Sequence, residues 1–197
     1  MSVFLYKKSL KINTIPKGER MQNSGLVRRI DELGRIVIPK EIRRTLRIRS
    51  GDAIEITKEG ETLLLTKHSP FKEYGKLATQ IVQTLSTTLK KECLVTDTDR
   101  IIYSSKRKDA QIGSLLTTFC NQVMEERKSR LFKSSMQKIP SLYLAEQVEE
   151  IKERFIVPIV KEGDCYGLMV ISSLDQSITS EEYSLIDLSL KILTNNL

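Results

Sequence analysis

The run Leu26-Val27-Arg28-Arg29-Ile30-Asp31-Glu32-Leu33-Gly34-Arg35-Ile36-Val37-Ile38-Pro39-Lys40-Glu41-Ile42-Arg43-Arg44-Thr45-Leu46-Arg47-Ile48-Arg49 decides the reading of this chain. Two short apolar stretches flank Glu32-Leu33-Gly34, and the second is rich in β-branched residues, which fit a pleated surface. The pattern predicts strands over 26–31 and 35–38, with Gly34 free to take the positive φ of a tight turn. Pro39 stops the ladder and suits the first position of a helix. Ile42 and Leu46 stand four apart, so a short helix over 40–47 carries both on one face. Eight basic residues lie between Arg28 and Arg49, seven of them arginine, against Asp31, Glu32 and Glu41. A guanidinium fork matches phosphate oxygens and the guanine edge in a two-pronged way that lysine cannot reproduce. Arg43, Arg44 and Arg47 fall together on the helix, and Arg28 and Arg35 on the two strands of one hairpin. A solvated charged face is the competing reading. Without aromatic residues between the charges, base stacking on single strands is disfavoured relative to a grip on a duplex backbone.

Beyond this run, Ser50-Gly51-Asp52 reads as a turn, and Ile54 and Ile56 alternate with Glu55 and Thr57 as a half-buried strand. Lys58-Glu59-Gly60-Glu61 turns the chain into Leu63-Leu64-Leu65. Some 45 residues cannot bury enough apolar surface to stand alone without a metal or a disulfide. The expectation for residues 24–68 is therefore an obligate dimer with intertwined strands. Residues 69–91 hold a linker and an amphipathic helix, with Tyr74, Leu77, Ala78, Ile81, Val82, Leu85 and Leu89 at helical spacing. Docking on its own domain and pairing with a twin across a dimer are equally open for that helix.

Residues 92–197 mix strands and helices. Leu94-Val95 and Ile101-Ile102-Tyr103 flank a Thr-Asp-Thr-Asp turn, 112–127 reads as helix, and longer strands over 155–160 and 166–172 flank Lys161-Glu162-Gly163-Asp164. Pro158 inside the first of these implies an edge position or a bulge. Thr179-Ser180-Glu181-Glu182 has capping-box spacing and starts a final helix. Hairpins with helices before and after them indicate an antiparallel sheet covered by helices, an α+β domain.

Charge divides the chain of 197 residues in the same place. The net charge is +7, with five Lys/Arg against one Glu in residues 1–20, ten against seven in 21–70, and seventeen of each in 71–197. A basic lobe joined to a neutral one suggests a polyanion-binding part and a part with another task. No apolar run approaches the ~18 residues of a membrane span. The first eight residues have the wrong order for a secretory signal, so a cytoplasmic protein is expected. Cys93, Cys120 and Cys165 are far apart without a C-x-x-C pair, which leaves buried reduced thiols as the expectation. The single histidine, His68, falls in the linker before Ser69-Pro70. With no metal cluster, phosphate loop or G-x-S-x-G, no enzyme and no cofactor are expected.

The stretch from Gly25 to Leu46, continued through Ile48 and Gly51-Asp52-Ala53-Ile54-Glu55-Ile56 to Lys67, resembles the AbrB family of swapped-hairpin transition-state regulators. The resemblance is long and ungapped. From Met21 onward the chain looks like a two-domain member of that family, with a GAF-like domain over 92–197. That second resemblance rests on the order of elements and on Val157-Pro158-Ile159-Val160, Gly167 and Val170-Ile171. It implies a small swapped-hairpin β-barrel that dimerises and holds double-stranded DNA. By motif position the DNA-contacting arginines fall on Arg28, Arg35, Arg43 and Arg44, with Arg29 nearby and Arg47 and Arg49 peripheral. It also implies reading of DNA shape more than of a fixed base code, and GAF-like domains paired through helices into a homotetramer. Those domains resemble small-molecule sensors, and no residue set here names a ligand. The function implied is transcription regulation, activating or repressing, of sporulation or stationary-phase genes. The alternative is an antitoxin-like interaction module on the same hairpin fold. Residues 1–20 are a basic extension beyond the family pattern. Purine-rich codons for Lys17-Gly18-Glu19-Arg20 would spell a ribosome-binding site, so translation is expected to start at Met21, a flexible basic arm being the rival reading.

Overall fold

The computed structural model describes residues 27–69, 71, 73–105, 111–144 and 146–197. The expectations for residues 1–20, for Met21 and for the strand's first residue, Leu26, lie outside these. The chain divides into two compact units after Leu46.

In the first unit the turn forms where Gly34 predicts it. The Asp31 N–H donates to the Arg35 carbonyl at 3.1 Å and the Gly34 N–H to the Asp31 carbonyl at 2.9 Å, with Gly34 at φ 76°. The strands expected over 26–31 and 35–38 do not form: among described residues 27–38 no ladder extends beyond the turn. Their apolar side chains stay in water, Val27 90% and Val37 74% exposed, and a two-stranded ribbon with no covered face is marginal. Helix α1 (Lys40–Thr45) follows Pro39 and buries none of its residues. It stops short of the expected Arg47 because that residue takes a left-handed φ of 54°, which ends a helix.

The second unit begins with a hairpin, β1 (Ile54–Glu59) and β2 (Thr62–Lys67), antiparallel with Glu59 opposite Thr62. Gly60 at φ 60° makes its two-residue turn. Helix α2 (Gly75–Leu89) follows, then β3 (Glu92–Thr96), β4 (Ile101–Ser104), α3 (Thr118–Glu126), β5 (Arg130–Lys133), β6 (Glu153–Lys161), β7 (Asp164–Ser173) and α4 (Ser180–Asn196). The last five strands make one antiparallel sheet in the order β4-β3-β7-β6-β5. Both faces are covered, so β7 reads as an unbroken apolar run rather than an alternating one. Met169 and Ile171 face α2 and α4, packed with Val82, Leu85 and Ile186. Leu168 and Val170 face α3, packed with Cys120, Val123 and Leu142. Helix α2 buries Ala78, Ile81, Val82, Leu85 and Leu89, which resolves the open choice in favour of its own sheet. Lys90, left-handed at φ 53°, ends it.

Helix α3 starts later than expected, β5 is unforeseen, and Pro158 meets the expectation of an edge position or bulge in a local form. Helix α3 begins at Thr118, because Leu115 and Leu116 are held extended in bridges to Arg100 and Tyr143. Strand β5, only four residues long, carried no legible pattern. Pro158 lies in an internal strand, but β5 pairs with β6 only as far as Ile156. The Leu168 N–H opposite Pro158 donates to the Thr96 hydroxyl at 3.0 Å. That places Pro158 at a pair where β6 and β7 exchange no hydrogen bonds, its nitrogen facing the side β5 has left, so no donor is missed. A register shift follows directly between Ile159 and Val160.

Two neighbouring charges on β6 fasten the loops on either face. Arg154, 1% exposed, meets Glu146 Oε1 at 2.6 Å and the Pro140 carbonyl at 2.7 Å, closing the loop over the α3 side. Glu153 accepts the Ile178 N–H at 3.0 Å on the α4 side. Each buried charge is paired or hydrogen-bonded, as its desolvation demands.

Candidate nucleic-acid interface

The arginine-bearing segment is short, and the turn chemistry of Asp31 organises it. Asp31 Oδ1 accepts the N–H of Leu33 at 3.0 Å and of Arg35 at 2.8 Å. Oδ2 takes the Arg35 guanidinium, Nε at 2.7 Å. The Arg35 backbone N–H, then its guanidinium, hold the Asp31 carboxyl below the usual carboxylate range. Arg35 remains largely in solvent, its side chain 72% exposed, so an approaching phosphate competes with one surface carboxylate, a pair of little net strength.

Arg28 and Arg29 precede this turn and are exposed. Arg43 and Arg44 occupy the last turn of α1, both exposed. The helix thus brings Arg43 and Arg44 together, and Asp31 ties Arg35 to the turn. All five expected contact residues present their charge to water.

The peripheral pair behaves differently. Arg47 follows the Leu46 cap of α1 in a left-handed conformation. The Arg49 guanidinium lies 4.0 Å from Asp99 Oδ1, a residue of the β3–β4 turn. Next to it, Lys67 Nζ reaches Asp99 Oδ2 at 2.8 Å and Asp52 Oδ2 at 3.0 Å. Reading the sequence missed this cluster. Its only trace was the pair of acidic residues in the Asp97-Thr98-Asp99 turn. Asp97 Oδ1 accepts the N–H of Asp99 at 2.7 Å and of Arg100 at 2.6 Å, and burial pushes its carboxyl up despite those bonds.

Among the described residues no group of His, Cys, Asp or Glu could hold a metal ion. The cysteines are free thiols, and burial raises Cys93 to about 12. No described helix is long and apolar enough to cross a membrane.

The family matches divide the chain at residue 73, beyond the β1–β2 hairpin, rather than after Leu46. Residues 27–73 match the family described as antidote-toxin recognition MazE, bacterial antitoxin. The transition state regulatory protein AbrB of Bacillus subtilis (strain 168) is 52% identical over 50 residues, covering 25% of this chain and 52% of that protein. The sheet domain is similar to the GAF domain from an Acinetobacter phosphoenolpyruvate-protein phosphotransferase, with a TM-score of 0.52 at 14% identity, covering 66% of this chain and 83% of that one. That likeness shows a GAF fold and nothing about ligands. Stage V sporulation protein T of Bacillus subtilis (strain 168) is 37% identical over 171 residues, covering 85% of this chain and 93% of that protein. Residues 73–197 match the family described as stage V sporulation protein T C-terminal, transcription factor, and on these two matches, which span both units, the chain belongs to the stage V sporulation protein T family of transcription regulators.

Proposed function

We propose that this regulator holds duplex DNA through Arg28, Arg29, Arg35, Arg43 and Arg44 of two protomers, whose N-terminal segments complete each other's fold. The observation that carries the reading is the coexistence, within residues 27–46, of exposed arginines and exposed apolar side chains, Val27, Ile30, Leu33, Ile36 and Val37. A segment that leaves both in water needs a second copy for the apolar set and a polyanion for the basic set. Swapped hairpins supply the first, and the dimer then doubles the basic surface. Residues 24–68 are the DNA-binding domain, 69–91 the linker and helix, and 92–197 a GAF-fold domain for oligomerisation or for sensing an unidentified small molecule. The genes concerned are those of sporulation, and the site of action is the cytoplasm.

Salt titration tests the reading. With Arg28, Arg35, Arg43 and Arg44 of each protomer on phosphate and Arg29 nearby, roughly eight phosphates are neutralised, so affinity falls by about three to five decades between 50 and 200 mM salt. A flat response rules the grip out. Arg43→Ala weakens binding while the dimer stays intact; unchanged affinity would remove Arg43 from the interface.

The antitoxin match over residues 27–73 favours a second reading, a module that binds a toxin partner. The long folded domain that follows, with its own double core, weighs against it. Recovery of a small stoichiometric protein partner in place of DNA would decide for that alternative.

A further inference from the structure

The cluster at Lys67 joins two pieces of chain that no sequence signal connects. Lys67 ends β2, and Asp99 lies 32 residues on, in the β3–β4 turn. The Lys67 side chain is 19% exposed, Asp99 14% and Asp52 15%, so the three charges meet with little water between them. Asp52 does two jobs, since its Oδ2 also accepts the Arg49 N–H at 2.7 Å and closes the turn that leads into β1. Among the described residues Asp99 Oδ1 has no hydrogen-bond partner, and the Arg49 guanidinium lies 4.0 Å from it. The neighbouring chain is fastened as well. The His68 N–H donates to the Ala53 carbonyl at 2.9 Å. Phe71 is buried in the core beside α2, and its carbonyl accepts the Tyr103 hydroxyl at 3.0 Å.

A half-buried lysine between two carboxylates is a costly way to gain stability, since desolvation offsets most of the attraction. Its distinctive property is direction: Asp52 steadies Lys67 within the hairpin base, and Lys67 reaches from that base to Asp99 in the β3–β4 turn. We infer that Lys67, Asp52 and Asp99 are positioning residues for DNA binding, holding the base of the β1–β2 hairpin on the β3–β4 turn of the GAF-fold domain. The turn closed by Asp52 follows α1 in the chain after Leu46, Arg47 and Ile48, so the anchor stands where the chain leaves the arginine-bearing segment. This inference rests on the DNA-binding reading above.

A charge cluster near a basic surface also acts through its field alone, and the two effects differ in sign. Removing a negative charge by Asp99→Asn would then tighten DNA binding, and removing a positive one by Lys67→Met would weaken it. Positioning predicts that both variants weaken it, because each breaks the same anchor. The experiment is a double-mutant cycle on the full chain, using a labelled mixed-sequence duplex at low salt, with sedimentation and thermal melting as controls for assembly and folding. Each single variant is expected to weaken binding about five- to tenfold, and the double variant no further than either single one. Lys67→Arg, which keeps the charge and can still span both carboxylates, is expected to recover most of the affinity and covers the case in which Lys67→Met fails to fold. Opposite signs for the two single variants, additive losses, or affinities within twofold of wild type overturn the inference. Absence of duplex binding by the wild type overturns the DNA reading and the inference with it, whereas binding that the variants leave unchanged overturns the inference alone.

Discussion

Gly167 is the residue on which the sheet is least forgiving. A Cβ there would lie 1.9 Å from the Thr96 carbonyl oxygen and 2.8 Å from its carbonyl carbon, both backbone atoms of the adjoining strand. Neither can swing aside. Gly167→Ala is expected to cost about 3 kcal/mol or more, read as a lowered urea midpoint; a midpoint equal to wild type would contradict the close approach. Asp97 shows the opposite economy, a charge kept for its acceptor oxygen. Burial raises its carboxyl in the folded chain, so folding favours the neutral form. Stability is greatest below the unfolded carboxylate value and falls as pH rises through the folded one. Asp97→Asn keeps an oxygen for the Asp99 and Arg100 N–H groups and removes the charge. It should be at least as stable as wild type at neutral pH, with any advantage shrinking as pH is lowered toward about 4. An advantage that grew on acidification would refute this account. The thiols complete this scale: Cys93 and Cys120 are buried with their thiols pushed up. Neither should react with a thiol reagent at mildly alkaline pH until the protein is unfolded, and rapid labelling of either in the native state would show the core to be open.

Among the elements, α4 has the best-specified start. The Thr179 hydroxyl accepts the Glu182 N–H at 3.3 Å, and the Glu182 carboxylate accepts the Thr179 N–H at 2.8 Å, a reciprocal capping box. Glu182 also meets the buried Lys91 at 2.6 Å, tying the start of α4 to the segment between α2 and β3. Thr179→Ala is expected to lower stability by about 1 kcal/mol, measured by chemical denaturation. Glu182→Ala should cost more, because it also strands the Lys91 ammonium; equal losses would mean that the ion pair contributes nothing. The N-terminal segments sit at the other extreme. Residues 27–38 have the composition of a hairpin and the turn to make one, yet only the turn closes in a single chain. Turn geometry is local, whereas a ladder with an uncovered apolar face has too little buried surface to hold it.

At the scale of the whole molecule, α4 carries a second apolar stripe. Ile186 and Leu193 are buried in the core, while Leu185, Leu188 and Ile192, three and four residues apart, lie exposed on another side of the same helix. That spacing is one helical face, and we propose it as the surface for the pairing of GAF-fold domains. Leu188→Glu, at a position 56% exposed, should leave the fold intact and reduce the assembly to a smaller species in sedimentation. Persistence of the larger assembly would move the contact to another face. With the N-terminal segments paired separately, as proposed above, DNA binding by the smaller species should survive, with reduced avidity on DNA carrying two sites.

The sequence by itself determined whatever depends on a residue and its near neighbours. Gly34 announced the turn, Pro39 the start of α1, the spacing from Ala78 to Leu89 the buried face of α2, and Thr179 to Glu182 the capping box. It also determined the family, because the arginine-rich run carries a long pattern. It did not determine where distant pieces meet. That α2 lies on its own sheet, that Leu115 and Leu116 stay extended before α3, that β5 ends short of Pro158, and that Arg154 closes on Glu146 depend on which neighbours the tertiary fold supplies. The same holds for Lys67, an ordinary strand-end lysine in the sequence and the centre of an ion cluster in the structure. Local conformation is set by sterics and hydrogen bonds within a few residues. A pairing across 32 residues is set by which loop closures the packed sheet repays, and only the folded chain decides that.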